Sequence, residues 1–153
     1  MPNHNAPIGH PPHERVLFLM LGLPSSGKTT WCRNWTSVPT IHMDHLRHCF
    51  HGQEYIEQLE PWIIELAHMF AKTLLHRYRR IVVDDANWTR HRRRFFFFHG
   101  VTTHMLWRKA TVEQCLERAP AERQERLQAV ARAFEPPDES EWEGYGDPFI
   151  TIV

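Results

Sequence analysis

Six consecutive apolar residues, Val16 to Leu21, stop at Gly22. A run this short, with no polar alternation, predicts a strand buried on both faces, as in a parallel sheet. Ile81-Val82-Val83 repeats the pattern and ends in two acids, Asp84 and Asp85. Val101 to Trp107 and Phe149 to Val153 are further strand candidates, and Thr40-Ile41-His42 is a short one. Between them the period changes. Ile56, Leu59, Ile63, Leu66 and Phe70 fall 3, 4, 3 and 4 apart, one apolar stripe on a helical segment over 54–79, with Pro61 breaking or beginning part of it. A polar stretch after the first strand reads as helix to about Trp35, with Pro39 beyond its end. Thr89 and Thr111 read as N-caps of helices running through Phe98 and Arg118. Residues 121–134 form another helix, with Leu127, Val130 and Phe134 on one face. Strands alternating with helices define an α/β class, three layers around a mainly parallel sheet.

The length, 153 residues, fits one domain. Residues 1–14, rich in Pro, His and Asn, read as a flexible leader without the apolar middle of a signal peptide, and 15–153 as the single domain. Lys plus Arg and Asp plus Glu balance at 18 each, which excludes a strongly basic nucleic-acid coat but not a local basic patch. The three cysteines, Cys32, Cys49 and Cys115, form no CxxC, so reduced thiols in a cytoplasmic setting are expected. No apolar run has the length of a membrane span.

The chemistry begins where the first strand ends. Gly22-Leu23-Pro24-Ser25-Ser26-Gly27-Lys28-Thr29 fits GxxxxGK[ST] in full, between a buried strand and a helix. The two glycines permit a backbone path that turns N–H groups inward around phosphate oxygens, and the helix start adds its positive end. Lys28 is placed to reach β- and γ-phosphates, and the Thr29 hydroxyl to ligate Mg²⁺. Pro24, Ser25, Ser26 and Thr30 complete the expected ATP contacts. These features specify a three-layer P-loop NTPase fold, with a short helical lid around the Pro120 break.

A kinase also needs a group near the acceptor hydroxyl and a carboxylate near the metal. Asp44 follows the second strand and shares a helix face with Arg47, three residues on. As a functional pair, Asp44 accepts the acceptor's proton while Arg47 holds an anionic part of it; the alternative is an ordinary surface ion pair. Asp84 and Asp85 end a buried strand, where ligands bind in such sheets. Pleat alternation turns one of the two into the site and leaves open which. Arg90, Arg92, Arg93 and Arg94 form a basic run that either meets phosphates or makes a solvated helix face. Arg118, Arg123 and Arg126 sit on the expected lid. His42, His45, His48 and His51, every third residue, read as pocket or surface histidines rather than a metal site. Phe95 to Phe98 cannot all face one side of a helix, so at least one is expected to be exposed. Trp31 and Trp35 are expected to pack on the sheet.

Taken together, GLPSSGKTTW, MDHLR, IVVDDANWTRHRRR and CLERAPAERQERLQAVARAFEPP resemble the polynucleotide-kinase-like P-loop kinases, in order from about Val16 to Pro137. The resemblance implies ATP and Mg²⁺ at Lys28 and Thr29, and Asp44 as the general base. It implies that Arg47 contacts the acceptor's phosphate and that Asp85, of an Asp-x-Asn motif with Asn87, builds the acceptor site beside Arg90. A lid arginine, Arg123 or Arg126, would reach the transferring phosphate, with Arg118 near the nucleotide base. The expected activity is transfer of the ATP γ-phosphate to a hydroxyl, first the 5′-OH of a polynucleotide. The alternatives are a small-molecule kinase acting on a nucleoside, sugar or antibiotic, and an ATP-binding switch protein without an acceptor. Membrane partners are not expected; an oligomer is open but unsupported, with Phe95 to Phe98 a weak candidate contact.

Overall fold

A computed structural model describes residues 10–146 and 149–153. The first nine residues of the expected leader lie outside them. Five strands, β1 (Val16–Leu21), β2 (Thr40–His42), β3 (Arg80–Asp84), β4 (Thr102–Trp107) and β5 (Phe149–Ile152), form one sheet in the order β2-β3-β1-β4-β5. Every pairing is parallel. The fully apolar run therefore becomes the central strand, fully buried along its length.

Side chains of β1 alternate between two cores. Leu17, Leu19 and Leu21 face one layer with Ile63, Ala67, Ala71 and Leu75 of α3 (Glu60–Arg77). Val16, Phe18 and Met20 face the other with Cys32 and Trp35. Here α1 (Lys28–Cys32) is shorter than the expected helix to Trp35. Trp31 and Trp35 lie tilted against each other at 4.8 Å, and Trp35 meets Phe18 edge-on, also at 4.8 Å. A third cluster, Leu23, Cys115, Ala119, Leu127 and Val130, seats α5 (Val112–Arg118) and α6 (Ala121–Ala133) above the phosphate-loop end of the sheet.

Pro61 begins α3 rather than breaking it, at the first helical turn where a missing N–H costs nothing. Ile56 consequently lies outside that helix, ahead of a 3-10 turn over Glu57–Leu59. Thr89 caps α4 (Arg90–Arg94), its hydroxyl accepting from the Arg92 N–H. That helix ends well before Phe98. The four phenylalanines therefore occupy a turn rather than a helix face, and helical geometry does not constrain them. Phe96 and Phe97 are buried, Phe95 and Phe98 half-buried, and none is exposed, contrary to expectation. Trp142, in a 3-10 turn over Glu139–Trp142, joins the α3-side core and donates from Nε1 to the Thr103 carbonyl at 3.0 Å.

The described end of the leader packs onto the sheet. His10 is buried against Phe149 and hydrogen-bonds His104, which in turn meets Thr151. Burial, and then the neighbouring His10, lower the His104 pKa to about 4, so it stays neutral near pH 7. No described helix is long and apolar enough to cross a membrane.

Candidate active site

A cleft of about 860 Å³ opens at the carboxyl ends of β1, β2 and β3. The phosphate loop, Asp44, Arg47, Asp84, Asp85 and the lid residues Arg118, Arg123 and Arg126 all line it.

The loop's shape depends on its first glycine. Gly22 has φ +143°, and a Cβ there would lie 2.5 Å from the Arg108 carbonyl oxygen and 3.1 Å from Ser26 Oγ. Gly22→Ala is therefore expected to displace the loop, with nucleotide binding lost in a titration and the melting temperature lowered. Lys28 is buried and donates from Nζ to the carbonyls of Gly22 (3.0 Å) and Leu23 (2.8 Å). Burial lowers its pKa, opposed by the carboxylates of Asp84, Asp85 and Asp44. Ser26 Oγ is buried without a hydrogen-bond partner among the described residues. An unpaired hydroxyl inside a ring of loop N–H groups fits a phosphate oxygen. Arg108, not singled out in the sequence, reaches from β4's end to the Ser26 carbonyl at 3.3 Å and lines the cleft.

Both strand-end acids face the cleft, where pleat alternation would turn only one. Asp84 is the last residue of β3, and Asp85 already belongs to the following turn, so alternation no longer separates them. Asp84 Oδ2 accepts from Thr29 Oγ1 at 2.8 Å and lies 2.9 Å from His42 Nδ1. These are hard oxygen donors on two elements, a set that fits Mg²⁺. His42 and His45 line the cleft. No group of three or more metal-binding side chains occurs among the described residues.

Asp85, also in the cleft wall, belongs to a buried ion-pair network. Arg47, on α2 (Met43–His51), donates to Glu60 from Nε at 2.7 Å and Nη2 at 3.0 Å, to Asp44 from Nη1 at 2.7 Å, and to Asp85 from Nη2 at 3.2 Å. Arg92 Nη2 donates to Glu60 at 2.8 Å and Asp85 at 3.1 Å, and its guanidinium lies 4.0 Å from the centre of the Trp88 ring. Burial alone would raise the Asp85 pKa, but Arg47 and Arg92, with the Ala86 N–H, hold it at about 2. Since this folded value lies below the unfolded one, the network's contribution is fully present above about pH 4. It is lost as pH falls toward 2. An acid titration of stability, followed by circular dichroism, is expected to decline across that window, and Asp85→Asn to flatten it.

Three residues expected at the acceptor site have partners within the domain. Arg47 lines the cleft, but its guanidinium is paired with three carboxylates and is 2% exposed. Asn87 does not line the cleft. It takes φ +47°, donates from Nδ2 to the Met20 carbonyl at 2.6 Å and thereby ties the β3 turn to β1. Arg90 points away from the cleft, to Asp138, and its backbone N–H donates to Glu135. The basic run as a whole is neither a phosphate patch nor a solvated face, because Arg92 and Arg93 are buried. Arg93 pairs with Glu141, both fully buried, and donates to the carbonyls of Asn87 and Glu135.

On the lid, Arg123 pairs with Glu54. Arg126 lies over the Tyr55 ring, 3.4 Å from its centre, and burial lowers its pKa. Asp44 is different from its neighbours: its side chain is 73% exposed while one oxygen is held by Arg47. Glu60, Tyr55 and Arg108 had no signal in the sequence beyond their residue types.

A parallel 2-3-1-4-5 sheet with a phosphate loop after its central strand and a helical pair above it is the P-loop kinase fold. The chain belongs to the AAA_33 family of AAA domains, matched over residues 17–139. No curated protein matches it in sequence. Among solved structures it is similar to a chain of a Pnkp1/Rnl/Hen1 complex, with 17% identity, TM-score 0.63, and 74% of this chain against 42% of that one. It thus spans under half the length of that relative. It is also similar to a gluconokinase from Sinorhizobium meliloti 1021 (16% identity, TM-score 0.58, 91% and 83% covered). A third likeness is to the Mycobacterium tuberculosis APS kinase CysC in complex with AMPPNP and APS (15% identity, TM-score 0.60, 93% and 90% covered).

Proposed function

We propose that this chain is an ATP-dependent phosphotransferase whose acceptor is a hydroxyl on a small, non-anionic compound. The observation that carries the reading is the placement of Asp44. Its exposed carboxylate shares one cleft with the phosphate loop and is oriented from behind by the saturated Arg47.

The loop N–H groups and Lys28 hold the β- and γ-phosphates of ATP. Thr29 and Asp84 hold Mg²⁺, which when bound neutralises charge on those phosphates. Asp44 accepts the acceptor's proton as the acceptor oxygen bonds to the γ-phosphorus. The bond from that phosphorus to the β–γ bridging oxygen breaks, and ADP leaves. Arg123 or Arg126, carried over the cleft by α6, offsets charge on the transferring group.

Of the arginines that argued for a polynucleotide end, Arg47, Arg90, Arg92 and Arg93 are occupied within the domain. Beside Asp44, three carboxylates (Asp44, Asp85 and Glu60) surround two guanidiniums, so the acceptor side favours a neutral or cationic compound over an anionic one. A second reading, the 5′-OH of a polynucleotide, is favoured by the cleft-lining lid arginines and by the likeness to a chain of the Pnkp1/Rnl/Hen1 complex. A non-catalytic switch has no use for an exposed acceptor-side carboxylate.

The test is transfer of label from γ-labelled ATP, with Mg²⁺, to a panel of neutral and amino-bearing sugars and nucleosides. Short 5′-OH DNA and RNA run in parallel. Label on a small compound supports the proposal. Label on the oligonucleotides alone overturns the acceptor assignment, and ATP binding without label on any acceptor overturns the kinase.

A further inference from the structure

The outward face of α3 is apolar, although the helix already buries its opposite face in the core. Ile63, Ile64, Ala67, Ala71 and Leu75 point inward. Outward stand Trp62 (65% exposed), Met69 (58%) and Phe70 (48%), with half-buried Leu66 between them. Trp62, Leu66, Met69 and Thr73 are spaced 4, 3 and 4 apart, the spacing of a coiled-coil seam. A lone exposed apolar residue needs no explanation, but a contiguous stripe on a long helix does.

We propose that this face joins a second copy of the chain, with the two α3 helices packed antiparallel about a two-fold axis. The charges beside the stripe choose this occupant. Glu65 and Lys72 are exposed, lie on the same flank, and each immediately precedes a seam position, Leu66 and Thr73. In an antiparallel pair each such flank meets its own counterpart. Glu65 then faces Lys72 of the second copy, and the symmetry repeats the pair. The same register sets Leu66 against Met69 of the second copy and bulky Trp62 against small Thr73. Parallel packing would set that flank against the opposite one, Glu65 against Phe70 and Lys72 against Arg77, and would stack Trp62 on itself. One face is thus complementary to itself in charge and in volume. The proposed cleft opens elsewhere, above the carboxyl ends of the strands, so the assignment is independent of the activity.

Sedimentation equilibrium of the full chain, over about 1–300 µM, tests this. A monomer–dimer equilibrium with a dissociation constant in the micromolar range is expected for so small a face. Met69→Arg should make the chain monomeric, and Glu65→Lys and Lys72→Glu should each weaken the dimer about tenfold. The double reversal, Glu65→Lys with Lys72→Glu, should restore it, which a merely structural effect would not do. The three positions are exposed, so the four variants should stay folded, which circular dichroism checks. A chain monomeric throughout, a dimer indifferent to Met69→Arg, or a double reversal that fails to rescue would each overturn the proposal.

Discussion

Replacing Asp44 by Asn should lower phosphoryl transfer by about 10²–10⁴-fold, the usual contribution of a positioned general base. Asn keeps an oxygen that can accept from Arg47 Nη1, so the 2.7 Å contact and the start of α2 are preserved. What it removes is the capacity to take a proton. Nucleotide affinity should stay nearly unchanged, because ATP is held by the phosphate loop. The loss should appear in kcat rather than in the KM for ATP. The informative comparison is steady-state kinetics beside a direct ATP titration. If Asp44→Asn retains most of its kcat, the proton goes elsewhere. If it loses ATP binding in proportion, Asp44 is a structural acid and the acceptor-side reading fails.

The largest effect on stability is expected at Glu60. Its two carboxylate oxygens serve both buried arginines: Oε1 accepts from Arg47, and Oε2 from Arg47 and Arg92. Glu60→Ala would leave two guanidiniums, 2% and 10% exposed, with Asp85 and the outward Asp44 as their remaining carboxylates. Breaking a buried ion pair by deleting one partner costs about 3–5 kcal/mol. In a domain of this size that is a fall of roughly 10 °C in melting temperature. Glu60→Gln, which keeps one good acceptor, should lie between. Thermal and urea melts of the three proteins decide it. A Glu60→Ala melt within about 2 °C of the unsubstituted chain would mean that water or rearrangement satisfies the arginines. The same substitution should lower kcat, since Arg47 would no longer be fixed behind Asp44.

Glu60 also marks where the sequence stops being legible. Local pattern was sufficient for β1 and β3, for the phosphate loop between strand and helix, and for the Thr89 and Thr111 caps. Each rests on residues close together in the chain, where spacing carries the physics. The partner of Arg47 lies 13 residues away and that of Arg93 lies 48 away. No periodicity ties a buried guanidinium to a distant carboxylate, so the arginine run over 90–94 read as either a phosphate patch or a solvated helix face. The acidic stretch after Pro137 shows no strand or helix period, yet it supplies Glu141 to Arg93 and Trp142 to the core. Asp84 and Asp85 show a subtler limit. Strand alternation is sound physics, but it applies only while the strand lasts, and β3 ends between them.

Two of the three arginines of α6 reach the same short stretch of chain, Arg123 to Glu54 and Arg126 to Tyr55, just ahead of α3. The two fastenings respond to different conditions. An exposed ion pair weakens in salt, whereas a guanidinium lying on a ring, with burial on both sides, weakens much less. At low ionic strength the covering helix is held at two points, and at high ionic strength chiefly at one. Opening rate and affinity should therefore separate along a salt series. If departure of ADP limits turnover, moderate salt would quicken the cycle by loosening the first fastening while Tyr55 keeps the cover in register.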